Sequence, residues 1–306
     1  MPITPKNNIV DLGVLKNCVF ISGSGRSGTT WLQEIINYKN QYRILFEPFY
    51  KDKVDILRNW HYRQYLRPSN NDSQYLKPAK RILSGRIRNA WIDEKNHQKV
   101  AFKRLIKDIR TQFLLKWIKA NFPKIPIIMI MRHPCAVANS KLILGWNAQL
   151  DEHLQEIFNQ ALLVQDHLCP FVTKRHELKD DFEKHVFLWC LEYYVPLRQF
   201  QENECLLIFY EELCENYQNE VERIFTFLDQ PFTKEVIQLQ KTPSALSRKD
   251  SPIYTGSSLV STWRKNISSE QINRSTQILS WFGLKSIYND GDMPLLDAEH
   301  ALSAFF

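Results

Sequence analysis

Residues 18–38 read Cys-Val-Phe-Ile-Ser-Gly-Ser-Gly-Arg-Ser-Gly-Thr-Thr-Trp-Leu-Gln-Glu-Ile-Ile-Asn-Tyr. The first five carry no charge and suit a buried strand, while Leu32, Ile35 and Ile36 fall on one face of a helix. Gly23, Gly25 and Gly28 punctuate the turn between them. A glycine-rich turn that opens a helix points backbone N–H groups at one spot, and the helix start adds partial positive charge there. Such a turn cradles an anion, most often a phosphate.

The register from Gly23 to Thr30 nearly fits the nucleotide-phosphate pattern G-x-x-x-x-G-K-[ST]. Thr29 stands where that pattern has lysine, and the cation sits inside the loop as Arg26. The usual arrangement for a nucleoside triphosphate with magnesium is therefore not spelled out.

The totals bound the remaining classes. A chain of 306 residues, 44% hydrophobic and 24% charged, has the make-up of an ordinary globular protein. Its net charge of +7 suits a polyanionic small molecule better than nucleic acid, because the basic residues are spread along the chain. The six cysteines show no C-x-x-C pair and no metal-ligand spacing, and the eight histidines are not paired for a metal. No metal is expected, and thiols within apolar runs suit a reducing compartment. The N-terminus does not read as a signal peptide, and no apolar run approaches the ~20 residues of a membrane span. A cytoplasmic protein is expected.

In chain order, Ile44-Leu45-Phe46 is a short strand stopped at Glu47-Pro48, and the proline pushes Glu47 out of helical geometry. Residues 51–95, polar and aromatic with weak periodicity, read as a helical insert or lid outside the core. Lys99 to Ile106 is a strand, followed by Lys107-Asp108 and a helix with Phe113, Leu114, Trp117 and Ile118 on one face. Ile125 to Met131 is the most hydrophobic run and reads as a central parallel strand. It ends in Arg132-His133, and a helix begins at Pro134. Residues 148–202 form a helical block with Trp189, Tyr193 and Tyr194 facing a core. A last strand, Cys205 to Phe209, leads into Tyr210, and a final helix covers 269–282. The tail after Asn289 gives no signal. Strands alternating with helices predict an α/β fold, a P-loop NTPase-like doubly wound parallel sheet with helical insertions. Ligands then bind at the strands' carboxyl ends. One domain over 1–306 is expected.

The carboxyl ends place Arg26, Glu47, Lys107, Arg132 with Ser140 two helical turns on, and Tyr210 around one site. Lys103 competes with Lys107 if the strand ends differently. A P-loop NTPase carries a magnesium-holding aspartate at the end of its hydrophobic strand, where this chain has Arg132. A cation there repels a metal and attracts a second phosphate. The site is thus suited to a doubly anionic ligand without magnesium.

At this point the sequence resembles the family of sulfotransferases that use 3′-phosphoadenosine 5′-phosphosulfate (PAPS) and release PAP. Four stretches carry the resemblance: Arg26-Ser27-Gly28-Thr29-Thr30; Arg132 with Ser140 eight residues on; Tyr210-Glu211-Glu212-Leu213; and Trp263-Arg264-Lys265. They span most of the chain in family order. The resemblance implies that Gly25, Arg26, Ser27, Gly28, Thr29 and Thr30 hold the 5′-phosphosulfate. It also implies that Arg132, Ser140 and Tyr210 hold the 3′-phosphate. Trp263, Arg264 and Lys265 would belong to a loop, about 244–265, that closes over the nucleotide. The family's basic residue just before that tryptophan is replaced by Thr262.

The Lys-Thr-His histidine of cytosolic phenol and steroid enzymes has no match. Arg26, Glu47 (21 residues later), Lys107-Asp108 and the triplet Phe46-Glu47-Pro48 are similar instead to the carbohydrate and tyrosylprotein branch. On that resemblance Glu47 is the general base, Arg26 and Lys107 stabilise the transferring group, and the acceptor is a hydroxyl, or less favourably an amine, of a carbohydrate-like or polar small molecule. The competing expectations are a degenerate P-loop kinase or NTPase and a non-catalytic PAP- or nucleotide-binding protein.

Overall fold

Cys18–Ser22 (β2) is buried at all five positions, and its side chains alternate between two hydrophobic cores. Cys18 and Phe20 face one, Val19 and Ile21 the other. The same alternation sends Ile127, Met129 and Met131 of β6 (Ile127–Met131) to the first core and Ile128 and Ile130 to the second. A strand apolar on both faces is stable only with layers on both sides, which is what these runs dictate. Each fully buried Ile or Phe contributes about 1.5–3 kcal/mol.

The computed structural model describes residues 9–96, 98–242, 254 and 258–305. After the two-residue strand β1 (Val10–Asp11) and β2 come α1 (Thr29–Ile36), β3 (Tyr42–Phe46) and α2 (Ser73–Leu83). Next are β4 (Val100–Ala101), β5 (Lys103–Asp108), α3 (Leu115–Asn121), β6, α4 (Pro134–Ile143), α5 (Leu150–Phe158) and α6 (Asp181–Leu197). The chain continues through β7 (Leu206–Phe209), α7 (Tyr210–Glu215), α8 (Tyr217–Phe227), α9 (Ser269–Trp281) and α10 (Ala298–Ser303). The main sheet has the order β3-β5-β2-β6-β7, and every pairing is parallel. β1 and β4 form a separate parallel pair. This is the doubly wound α/β architecture expected from the sequence. Among the described residues, no helix is long and apolar enough to cross a membrane.

Register brings the strand ends level. Phe46 lies opposite Lys107, Ser22 opposite both Asp108 and Met129, and Met131 opposite Phe209. The loops after β2, β3, β5, β6 and β7 therefore open along one edge of the sheet. Chain order reverses across β2, because β5 lies on one side of it and β6 on the other. That reversal creates the crevice in which ligands of such sheets bind.

Two expectations need correction. The strand expected over Lys99 to Ile106 is two strands, and the longer runs on to Asp108. Residues 51–95 do not stay outside the core, since Leu57, Trp60, Tyr65, Leu66, Ala79, Ile82 and Leu83 are all buried in the first core. Their spacing follows no single period, because much of the segment is turn and 3₁₀ structure. The tail after Asn289 is also integrated: Ala298, Ala301 and Leu302 of α10 are buried in that core. Within the predicted closing segment, 244–253 and 255–257 lie outside the described residues.

Candidate functional site

Gly28 caps α1 at φ 93°, a backbone conformation glycine adopts without the steric cost of a side chain. A Cβ there would come within 2.6 Å of the Tyr210 ring, and one at Gly23 within 2.5 Å of the Ile130 carbonyl. Only glycine lets the loop lie this close to β6 and to the start of α7. A single hydroxyl anchors it from below. Tyr193 of α6 donates to the Ile130 carbonyl (2.7 Å), leaving its lone pairs for the Ser24 N–H (2.9 Å) and the Ser27 hydroxyl (3.1 Å). Lys141 Nζ, buried beneath the loop, donates to Ser24 Oγ (2.9 Å) and lies 4.0 Å from Glu192. Thr29 and Thr30 are the first two residues of α1, behind the loop.

Arg26 stands in the loop at φ 77°, uncommon for a residue with a side chain. Its Nε donates to Ser140 Oγ (3.0 Å), and its carbonyl accepts from Arg132 Nη1 (3.1 Å). The guanidinium of Arg132 lies over the Tyr210 ring, 4.2 Å from the centroid. Trp31 meets Tyr210 edge-on at 5.9 Å and so fixes that ring. Arg132 Nε is buried without a hydrogen-bond partner. The structure thus brings Arg26, Ser140, Arg132 and Tyr210 into one contiguous cationic group beside the loop. Glu211 has a different role: its carboxylate accepts from the His133 N–H (2.8 Å) and the Tyr288 hydroxyl (2.7 Å), tying the ends of β6 and β7 together.

On the other side of β2, Glu47 follows β3 at φ 43°. Such left-handed residues tend to be held at functional positions by their surroundings. Its N–H donates to the Lys107 carbonyl (2.7 Å). Its carboxylate is gripped at both oxygens, Oε1 by Lys107 Nζ and Oε2 by Arg110 Nη1, each at 2.6 Å. Burial pushes the Glu47 carboxyl up, but the two cations outweigh this and hold it below the usual carboxylate range. Glu47 is therefore ionised at neutral pH. Asp108 shapes the turn by accepting from the Phe49 and Arg110 N–H groups, both at 2.8 Å, and burial pushes its carboxyl up to about 6.

Register decides between the two lysines. Lys107 is the penultimate residue of β5 and meets Glu47, whereas Lys103 begins the strand, donating to Gln230 at 3.2 Å. The third predicted group is spread out. Trp263 stacks on His133, with centroids 4.5 Å apart and planes at 15°, directly after Arg132. Arg264 is paired with Asp292 at 2.6 Å, and Lys265 is exposed.

The sequence did not single out Arg110 or assign Tyr193 a role at the loop. A lone arginine after a strand gives no periodic signal. Tyr193 reads as one more aromatic of a buried helix, and only tertiary contact aims its hydroxyl at the loop. Among the described residues, no group of three or more His, Cys, Asp or Glu side chains could hold a metal ion.

The sulfotransferase domain model matches residues 16–289. The chain belongs to the sulfotransferase family. Members of this family move a sulfuryl group to an acceptor, with PAPS as donor. Among solved structures, the sulfotransferase domain of the Synechococcus PCC 7002 olefin synthase is 14% identical over 92% of this chain and 97% of its own, with a TM-score of 0.45. Mouse sulfotransferase SULT7A1, complexed with PAP, is 15% identical over 96% and 90%, TM-score 0.45. Sulfotransferase STF9 from Mycobacterium avium is 12% identical over 92% and 79%, TM-score 0.48. No curated protein matches the sequence. Membership rests on the domain match of this sulfotransferase, which includes the loop, Glu47, Lys107, Arg132 and Trp263.

Proposed function

We propose that this sulfotransferase moves the sulfuryl group of PAPS to a hydroxyl of a carbohydrate-like or polar small-molecule acceptor, with Glu47 as general base. The observation that carries this is the Glu47–Lys107 ion pair at 2.6 Å, set level with the anion loop by the register of three neighbouring strands. The acceptor oxygen attacks sulfur, and the bond from sulfur to the bridging oxygen of the 5′-phosphate breaks. The acceptor proton passes to Glu47, and the electron pair stays on the phosphate of PAP. Lys107 and Arg26 supply positive charge to the sulfuryl and bridging oxygens.

The residues present fit the donor. Loop amides from Gly25 to Thr30 would hold the 5′-phosphate. Arg132, whose buried Nε has no protein acceptor, would hold the 3′-phosphate with Ser140, over the ring of Tyr210. A cation at this strand end, in place of an acid, favours a second phosphate over a bound metal.

The test is incubation with sulfur-labelled PAPS and pooled acceptor extracts, together with the melting temperature on adding PAP. Label transfer and a rise in melting temperature are expected. Absence of both would defeat the proposal. Binding without transfer to any acceptor would reduce the protein to a PAP-binding one.

A further inference from the structure

Arg110 uses only part of its guanidinium. Nη1 holds Glu47 Oε2, while Nε is buried without a hydrogen-bond partner, and no described residue bonds Nη2. The Nε–Nη2 side is the edge through which arginine takes a carboxylate by two parallel N–H···O bonds. Buried donors in folded proteins are nearly always satisfied, so one left open beside a functional group calls for a ligand oxygen.

The surroundings fix where that edge can act. The guanidinium lies over the Tyr50 ring at 3.8 Å from its centroid and 6.0 Å from that of Tyr62. Tyr62 is itself held in a stack with His153, centroids 3.9 Å apart and planes at 8°. The Arg110 side chain is 14% exposed and that of Lys107 only 3%, so Arg110 is the more accessible partner of Glu47.

The local charge also favours an anion. Glu47 and Asp108 face Arg110 and Lys107, a balanced set. Arg63, 5.1 Å from the Tyr62 centroid, shares the single carboxylate of Glu192 with Lys141, which leaves one positive charge over.

We infer that the open edge of Arg110 binds an anionic group of the acceptor, a carboxylate by geometry, so that the acceptor is a hydroxy acid or an acidic sugar. The inference rests on the proposed reaction for its setting. Because Arg110 touches Glu47 itself, a carboxylate on its free edge places the acceptor's hydroxyl next to the base. The two phosphates of the donor are accounted for by the loop and by Arg132 with Ser140.

The test uses the full chain saturated with PAP and two matched probe pairs read by titration calorimetry. The pairs are 4-hydroxybenzoate with 4-hydroxybenzamide, and methyl glucuronide with its glucuronamide. In the wild type at least one acid should bind tenfold or more tighter than its amide. Arg110→Gln should abolish that preference, and Arg110→Lys should keep part of it, since charge survives but the fork does not. PAP affinity should stay within twofold in both variants, which also reports that they fold. Equal binding of acid and amide, no binding of either pair, or a preference that survives Arg110→Gln overturns the inference and leaves the donor assignment standing. Failure of the wild type to bind PAP defeats the proposed reaction instead. If neither variant folds, the wild-type comparison of acid and amide decides alone.

Discussion

Arg26 Nε and Ser140 Oγ, 114 residues apart in sequence, meet at 3.0 Å. One belongs to the loop proposed to hold the 5′-phosphosulfate, the other to the helix after Arg132. The contact joins the two arms proposed to hold the donor's phosphates: Ser140 positions Arg26, and in the proposed reaction it would also meet the 3′-phosphate. Ser140→Ala removes a hydrogen bond to a charged group, worth about 1.5–3 kcal/mol. The dissociation constant for PAP should rise by roughly 10- to 100-fold. Calorimetric titration checks this, and a change under twofold would detach Ser140 from the site.

Glu47 should be needed for transfer but not for the donor. Glu47→Ala should lower kcat by ~10²–10⁴-fold at saturating PAPS, the usual contribution of a general base. The affinity for PAP should be little changed. Near wild-type turnover at saturating donor would remove Glu47 from the base role.

The Glu47 ion pairs also set a pH dependence. The carboxyl is held below the usual range by Lys107 and Arg110 against the upward push of burial, so its basic form persists to lower pH than in a free glutamate. The acid limb of the kcat profile for transfer should fall below about pH 4.3, the ordinary glutamate value. A limb near 6 would instead point to Asp108, whose carboxyl is pushed up to about 6 by burial.

Tyr193→Phe tests the anchoring of the loop. The hydroxyl serves three loop and strand groups, and its loss leaves the Ser24 N–H and the Ile130 carbonyl unsatisfied in the interior. A cost of about 1–3 kcal/mol in unfolding free energy is expected. PAP binding should weaken with it, because the loop amides lose their support. Denaturant unfolding of the two proteins measures the first effect, and unchanged stability would show that Ser24 and Ile130 find other partners.

Two buried histidines give the fold an acid limit. Burial pushes both His133 and His185 down to about 3. His133 is neutral, with Nδ1 accepting from the Cys135 N–H and Nε2 therefore donating to the Asn289 carbonyl. Unfolded, each would titrate near 6.5. Between those values the unfolded chain binds more protons, so stability rises with pH and is lost as pH falls below 6.5. Each contributes a slope of about 1.4 kcal/mol per pH unit. Melting curves from pH 7 to 5 should show the decline, and His133→Gln should flatten it.

The sequence by itself determined the loop and its two flanking elements, the central strand ending in Arg132, and the family. These signals are local. An uncharged run, glycines at fixed offsets and a proline at the first helical position are written within a few residues of one another. It also placed Glu47 at a strand end, because Pro48 stops the strand wherever the sheet goes.

Only the tertiary structure decided which lysine meets Glu47, since periodicity locates a strand but not its register, and the pairing of Phe46 with Lys107 settles it. The same holds for the polar 51–95 segment, whose apolar residues reach the core through turns without a repeating face. Arg110 and Tyr193 act through contacts made across 63 and 169 residues of chain, to Glu47 and to Ser24. Such contacts leave no pattern in the sequence, because only the packing of the strands and α6 brings their partners within hydrogen-bonding distance.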